Sequence, residues 1–312
     1  MKTFFKHIMC FMIIFFSLNT ISAQESSDNN IHSFFKNVKE SPNTFHKINS
    51  NSNWDKLQTL KDLEFYQNDS IDNIRKYTYL IADNLTKDDS DLLLKQNVVN
   101  FLLNGFSDKN SGNCGIVSDL LKKYPLKSFN ITAQQKILKL LYKSPSYYHE
   151  LIKLAGYVNP DSTSDLIHKL LLSRVVKNNE SYWAAQLALA RIGDQSAIEF
   201  CMNQIKQMKV NDDLIYDFVP DLIYTHQHEA INYLVQLLYS KEKNCESSNP
   251  ESTEMIVCGY RIMEYLAPII KNFPLKINNT GDIDTNDYAE ALQICRDWFI
   301  ENPNYDIITE NY

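Results

Sequence analysis

The sequence predicts an all-α protein, built as an α-solenoid of stacked antiparallel helix pairs. Three observations carry this. Apolar residues recur at helical spacing from Ile31 onward, and strand-like alternation is hard to find. Only seven glycines occur in 312 residues, too few for the tight turns of sandwiches and barrels. A stretch of chain also returns, with its apolar positions intact, 33 residues further on.

The amino terminus is set aside before any folding argument. Lys2 and Lys6 precede an apolar run from Ile8 to Leu18, and Ile21-Ser22-Ala23 offers small residues for cleavage. This is the order of a secretory signal peptide, and the run is shorter than the roughly 20 residues of a bilayer span. Residues 1–23 are therefore expected to be removed near Ala23, which places the chain in the periplasm or outside the cell. Cys10 lies inside the apolar run rather than just after it, which argues against a lipid-anchored cysteine. No later apolar stretch is long enough to span a membrane. Residues 24–31 are a polar leader, and 32–312 form the solenoid.

The formal charge of the whole chain is −7, and losing Lys2 and Lys6 makes it more negative. Such a chain lacks the clustered cations that nucleic acid rewards, so no nucleic-acid partner is expected. Hydrophobic residues make up 44% of the sequence, enough to build a core and to exclude wholesale disorder.

Along the chain, Ile71–Leu85, Leu92–Leu103, Ile116–Leu121 and Ile137–Tyr142 read as successive amphipathic helices. The clearest helix is Tyr182–Ile192, with Trp183, Leu187 and Ala190 at helical spacing. It is closed by Gly193-Asp194, a glycine stop followed by turn residues. A second helix follows, its stripe formed by Ala197, Cys201, Ile205 and Met208. Short helices with one apolar stripe each need neighbours to be stable. The repeat supplies them. Residues 188–205 match 221–238, with Leu189 on Leu222, Ala197 on Ala230, Ile198 on Ile231, Cys201 on Leu234 and Ile205 on Leu238. A weaker copy starts at Leu154-Ala155-Gly156-Tyr157-Val158. Tyr260–Ile270 and Tyr288–Ile300 make a further pair.

The stretch from Trp183 to Ile205 resembles the HEAT repeat, with an alanine-rich first helix, an Ile-Gly-Asp turn and an Ala-Ile opening of the second helix. Pro220 and Pro268 fall within apparent first helices, where HEAT units often carry a kinking proline. The resemblance is best over about 150–240, and the units lack the arginine that strong HEAT repeats often carry near their start. It implies an armadillo-type solenoid. A tetratricopeptide-like solenoid is the alternative, since its period is also about 34 residues. Against it, no proline closes these units.

The sequence offers four candidate sites. Ser33-Phe34-Phe35-Lys36 and Ser27-Asp28-Asn29 imitate two motifs of penicillin-recognising enzymes, but their order is inverted and Lys-Thr-Gly is missing. His226-Gln227-His228-Glu229 offers metal-type ligands on what aligns as an exposed inter-helix turn, without a third ligand. Asp282–Asp287 opens like a calcium loop, but Asp287 stands where glycine is needed and Gln293 where glutamate is needed. Thr285 or Asn286 is better placed as a helix cap. No catalytic, cofactor or metal residue is therefore expected. The last candidate is a disulfide. Five cysteines follow the signal peptide, and export oxidises them. Cys245 sits in a polar insertion and Cys258 near the start of the next helix, which makes a Cys245–Cys258 bridge the expected pairing. Cys201 lies on an apolar stripe and needs no partner.

The expected function is a non-catalytic scaffold that binds a protein or peptide on its helical surface, aided by the many tyrosines. An inhibitor or immunity-like protein that sequesters one partner is a narrower version. An enzyme with a solenoid-borne site is the contrasting class. HEAT-like DNA glycosylases set the precedent for it, and export and negative charge argue against it.

Overall fold

The computed structural model describes residues 31–48, 54–159, 161–176, 178–247, 251–310 and 312. The predicted signal peptide and most of the polar leader lie outside these residues. The described chain is all-helical, with fourteen α-helices and almost no sheet. No helix among the described residues is long and apolar enough to cross a membrane. The fold divides into two compact units, 1–120 and 121–312.

The first unit contains α1 (Ile31–Glu40), α2 (Lys56–Leu63), α3 (Asp72–Asn84), α4 (Leu92–Leu102) and most of α5 (Ser111–Leu121). Asp55 and Asp91 cap α2 and α4 through their side chains, satisfying amide groups that the first turn leaves open. Phe35, Leu63, Ile74, Ile81 and Leu102 are fully buried and form the core. The unit also buries a charge. Arg75 of α3 reaches Asp108, in the turn before α5, at 2.9 Å, and the Asp108 side chain is 0% exposed. Tyr79 donates to the same carboxylate at 3.0 Å and Asn113 at 3.3 Å, so Asp108 is held by hydrogen bonds as well as by charge.

The second unit begins with the end of α5 and continues through α6 (Ile131–Leu141), α7 (Tyr148–Val158), α8 (Thr163–Leu172), α9 (Asn179–Ile192), α10 (Gln195–Ile205), α11 (Val219–Thr225), α12 (His228–Leu237), α13 (Gly259–Leu266) and α14 (Tyr288–Glu301). Helix α9 packs on α7, on its own partner α10, and on α11; α11 packs in turn on α12 and α13. Leu189, Ile198 and Leu222 are buried together with Cys201, as the repeat requires. Gly193 closes α9 with φ of 96°, a left-handed conformation open to glycine at little cost. Asp194 then caps α10 by accepting from the Ala197 amide.

Four local expectations need correction. Pro268 follows α13, which ends at Leu266, so it terminates a helix rather than kinking one. Met208 lies beyond the end of α10 at Ile205 and is exposed, because the apolar stripe outlasts the helix. Strand, hard to find in the sequence pattern, does occur at the polar insertion, where β1 (Lys243–Cys245) pairs antiparallel with β2 (Ile256–Val257). Asp287, rather than Thr285 or Asn286, caps α14, accepting from the amides of Ala289 and Glu290. Pro220 does lie at the start of α11. Ahead of it Leu214–Phe218 forms a π-helical turn, a shape that suits a residue with no amide to give the preceding turn.

Candidate binding site

The repeat places three side chains in register. Tyr157, Arg191 and Tyr224 are each the last residue but one of α7, α9 and α11, at successive intervals of 34 and 33 residues. The Arg191 guanidinium carbon lies 5.0 Å from the centre of the Tyr157 ring and 4.9 Å from that of Tyr224. It is thus held between two π faces, an arrangement that favours a cation. Arg191 also donates to the Tyr224 carbonyl at the end of α11. Burial lowers the guanidinium pKa from its ordinary value, and burial drives the Tyr224 hydroxyl far above its own. Both tyrosines therefore stay neutral hydrogen-bond donors at any physiological pH.

Tyr224 is seated by Gly156. Its hydroxyl donates to the Lys153 carbonyl at 2.5 Å, and a Cβ added at Gly156 would stand 2.5 Å from that hydroxyl and 2.8 Å from the Ala188 Cα. The glycine in the last turn of α7 is what permits the approach.

Beside the rings runs a belt of paired charges. Lys153 lies 3.3 Å from Asp221 and 3.8 Å from Glu150. Lys122 reaches Glu150 at 2.8 Å, and Trp183 donates its indole N–H to Asp221 at 2.6 Å. Burial works to raise the Glu150 pKa, but Lys153 and Lys122 outweigh it and hold the carboxyl below its usual range. His149 extends the belt to Glu180 at 3.3 Å. Next to His149 and Glu180 opens a cavity of about 590 Å³ that also borders Ser144, Tyr147 and Arg174. Those three residues have φ of 46°, 58° and 56°, left-handed backbone rarely adopted by residues other than glycine.

One more side chain completes the cluster. The ring of Tyr312 lies 5.5 Å from that of Tyr157 and 5.3 Å from that of Tyr224, and Lys122 stands 5.7 Å over its face. Its hydroxyl points to Glu150 at 3.4 Å.

Tyr157 and Tyr224 are among the tyrosines that the sequence offers as contact area, whereas its catalytic, metal and disulfide candidates lie elsewhere. Cys245 and Cys258 are joined, with Cα atoms 5.2 Å apart, and the bridge ties β1 to the residue that opens α13. Cys114, Cys201 and Cys295 are buried free thiols. Ser33 and Lys36 belong to α1. His228 is exposed as expected, but His226 is half-buried and neither ring nitrogen has a hydrogen-bond partner among the described residues. Among the described residues no group of three or more His, Cys, Asp or Glu could hold a metal ion. The site of ring faces and cations was missed because its members are far apart in sequence. The signal that could have found it is the 33–34-residue register of Tyr157, Arg191 and Tyr224.

These features define an all-helical protein with an aromatic and cationic cluster across successive helices. Compared with known protein families, curated proteins and solved structures, the chain gives no match.

Proposed function

We propose that the chain is an exported, non-catalytic scaffold that binds a protein or peptide, and that its helix pairs form a degenerate HEAT-like α-solenoid. The observation that carries this is the alignment of Tyr157, Arg191 and Tyr224 at the ends of three successively packed helices. Repeat architectures use such register to build a continuous binding face from equivalent positions. The chemistry of that face also favours recognition. Tyrosine rings and an arginine supply large contact area with donors at the edge, the composition found at binding hot spots. The carboxylates beside them, Glu150 and Asp221, are committed to Lys122, Lys153 and Trp183. Lys122, Lys153 and Arg191 stand against the two carboxylates Glu150 and Asp221, which leaves this cluster one positive charge in a chain whose net charge is negative and favours an acidic or carbonyl-rich segment. Export is supported by the basic, apolar and small-residue order of residues 1–23, with the Cys245–Cys258 bridge in keeping.

The test is affinity capture from the exported fraction of the native cell. The native chain is compared with a Lys122→Glu form that reverses one charge of the face. Proteins retained by the native chain and lost with Lys122→Glu support the reading. Retention that ignores the substitution, or no retention at all, overturns it.

A further inference from the structure

Tyr312 reaches its pocket on a segment that returns across the second unit in an extended path. Ile307 pairs with Ile270 in an isolated antiparallel bridge, the Lys271 amide donates to the Asp306 carbonyl at 3.0 Å, and the Ile308 amide donates to Ile269 at 2.8 Å. Two residues later the Glu310 carbonyl accepts from the Tyr157 hydroxyl at 3.0 Å; the Tyr124 carbonyl lies 3.1 Å from the same hydroxyl, so one proton serves two acceptors. Thr309 and Glu310 are themselves exposed. The segment is thus held by main-chain hydrogen bonds and by one inserted ring. That is how an extended peptide binds a groove: main-chain bonds give purchase and a pocket reads a side chain.

We infer that the Tyr157–Arg191–Tyr224 pocket is a recognition site for a tyrosine carried on an extended, acidic segment of another protein, and that Tyr312, with Asp306–Glu310 leading up to it, occupies the pocket as a built-in competitor. This rests on the scaffold reading above and adds the chemistry of the partner. Each feature of the seated residue defines a requirement. The ring enters between Tyr157 and Tyr224 in edge and tilted contacts. Lys122 over its face asks for a π system. Glu150 accepts from the hydroxyl, which asks for tyrosine over phenylalanine. The Tyr157 hydroxyl asks for a free carbonyl two residues earlier. Glu310, two residues before the seated ring, supplies the acidic character of the segment, while Asp306 pairs apart from the pocket with Lys271 at 3.7 Å. An intramolecular segment competes at an effective concentration of order millimolar, so a partner must be local, multivalent or better fitted to displace it.

The experiment uses the full exported chain and a fluorescein-labelled, amidated peptide spanning residues 307–312 as the probe, read by fluorescence anisotropy. The Tyr312→Ala chain should bind the probe at least about tenfold more tightly than the native chain, whose own tyrosine competes. A probe carrying the Tyr312→Ala change should not bind, and one carrying Tyr312→Phe should bind several-fold more weakly. Ile308→Pro, which removes the amide bonded to Ile269 and leaves the pocket and Tyr312 in place, should raise probe binding about threefold, and it keeps the test open should alanine at 312 cost the fold. Equal probe affinity for native, Tyr312→Ala and Ile308→Pro chains, or equal binding of the alanine probe, overturns the proposal. The parent reading is separated by repeating the capture with the Tyr312→Ala chain. Proteins captured equally by both chains, with no selective probe binding, sink the tyrosine pocket and leave the scaffold standing. Selective probe binding with stronger capture by Tyr312→Ala supports both.

Discussion

The Tyr224 hydroxyl donates a hydrogen bond to the main-chain carbonyl of Lys153, which links α11 directly to α7 although α9 packs between them in sequence order. Helices α7, α9 and α11 are thereby drawn together near their C-terminal ends, and Arg191 is enclosed where they meet. The contact depends on Gly156, whose missing side chain leaves room for the hydroxyl.

Gly156→Ala should therefore destabilise, although alanine is the better helix former by about 1 kcal/mol. Its methyl group would meet both the Tyr224 hydroxyl and the Ala188 main chain, and overpacking of this kind costs about 1–3 kcal/mol. Tyr224→Phe removes the hydroxyl and one hydrogen bond, for about 1 kcal/mol. The two changes share a contact, so the pair should cost less than the sum of the single effects. Denaturant midpoints of the four chains measure this; strict additivity would show that the hydroxyl and the glycine do not meet.

The buried ion pair of the first unit gives a second expectation. Asp108→Ala removes the buried partner of Arg75 but leaves it Asp72 at 2.6 Å and the Asp69 carbonyl at 2.7 Å, so the cost falls below the roughly 3–5 kcal/mol of a buried charge left wholly unpaired. Burial raises the Asp108 pKa, but hydrogen bonds from Arg75, the Asn110 amide and Tyr79 more than offset it, so the carboxyl lies below its ordinary value. A carboxyl with a depressed folded pKa stabilises fully above about pH 4 and loses that contribution as pH falls further. The gap in melting temperature between the native chain and Asp108→Ala, followed from pH 7 to pH 3, should begin to narrow below about pH 4. Parallel curves would remove Asp108 as the cause.

The core was legible in the sequence because packing is what repeats. Leu189 and Leu222, or Ile198 and Ile231, occupy matching buried positions, and an apolar pattern records burial directly. The proposed binding face was not. Tyr157, Arg191 and Tyr224 stand in the same register, but amphipathic residues carry no simple periodic signature, and most tyrosines in an α-protein pack between helices. Tyr312 was beyond reach altogether, since nothing local relates residue 312 to α7. The short β1–β2 ladder was also hidden, because its three and two residues are too few to show alternation. Cys245 and Cys258 were accessible for the opposite reason: only a short loop separates them in an otherwise polar insertion.

The disulfide closes a loop of modest size, and on chain-entropy grounds such a bridge stabilises by about 3 kcal/mol. Reduction of the exported protein, or Cys245→Ser with Cys258→Ser, should lower the melting temperature accordingly. Without reductant, alkylation of the folded chain should label none of the five cysteines, since Cys114, Cys201 and Cys295 are buried. Tryptic peptide mapping after unfolding should then find those three labelled and Cys245 and Cys258 protected until reduction. Labelling of Cys245 or Cys258 at that stage would dismiss the bridge.

His226 yields the last prediction, and its position in the repeat explains why. It occupies the place that Gly193 holds one unit earlier, closing α11 as Gly193 closes α9, and it adopts the same left-handed backbone with φ of 52°. That conformation strains a residue with a Cβ. The ring is half-buried without a hydrogen-bond partner for either nitrogen among the described residues. Burial, with a smaller push from the Arg191 charge, lowers its pKa from 6.5 to about 4. The unfolded chain therefore takes up a proton that the folded chain refuses between about pH 6.5 and pH 4. Stability must fall as pH drops through that window and level off below it. His226→Gly removes both the titration and the strained Cβ. The substituted chain should lose less melting temperature than the native chain between pH 7 and pH 4.5. Asn at the same position, which tolerates left-handed backbone and does not titrate there, should behave likewise. An unchanged acid loss in both variants would assign the acid sensitivity to groups other than His226.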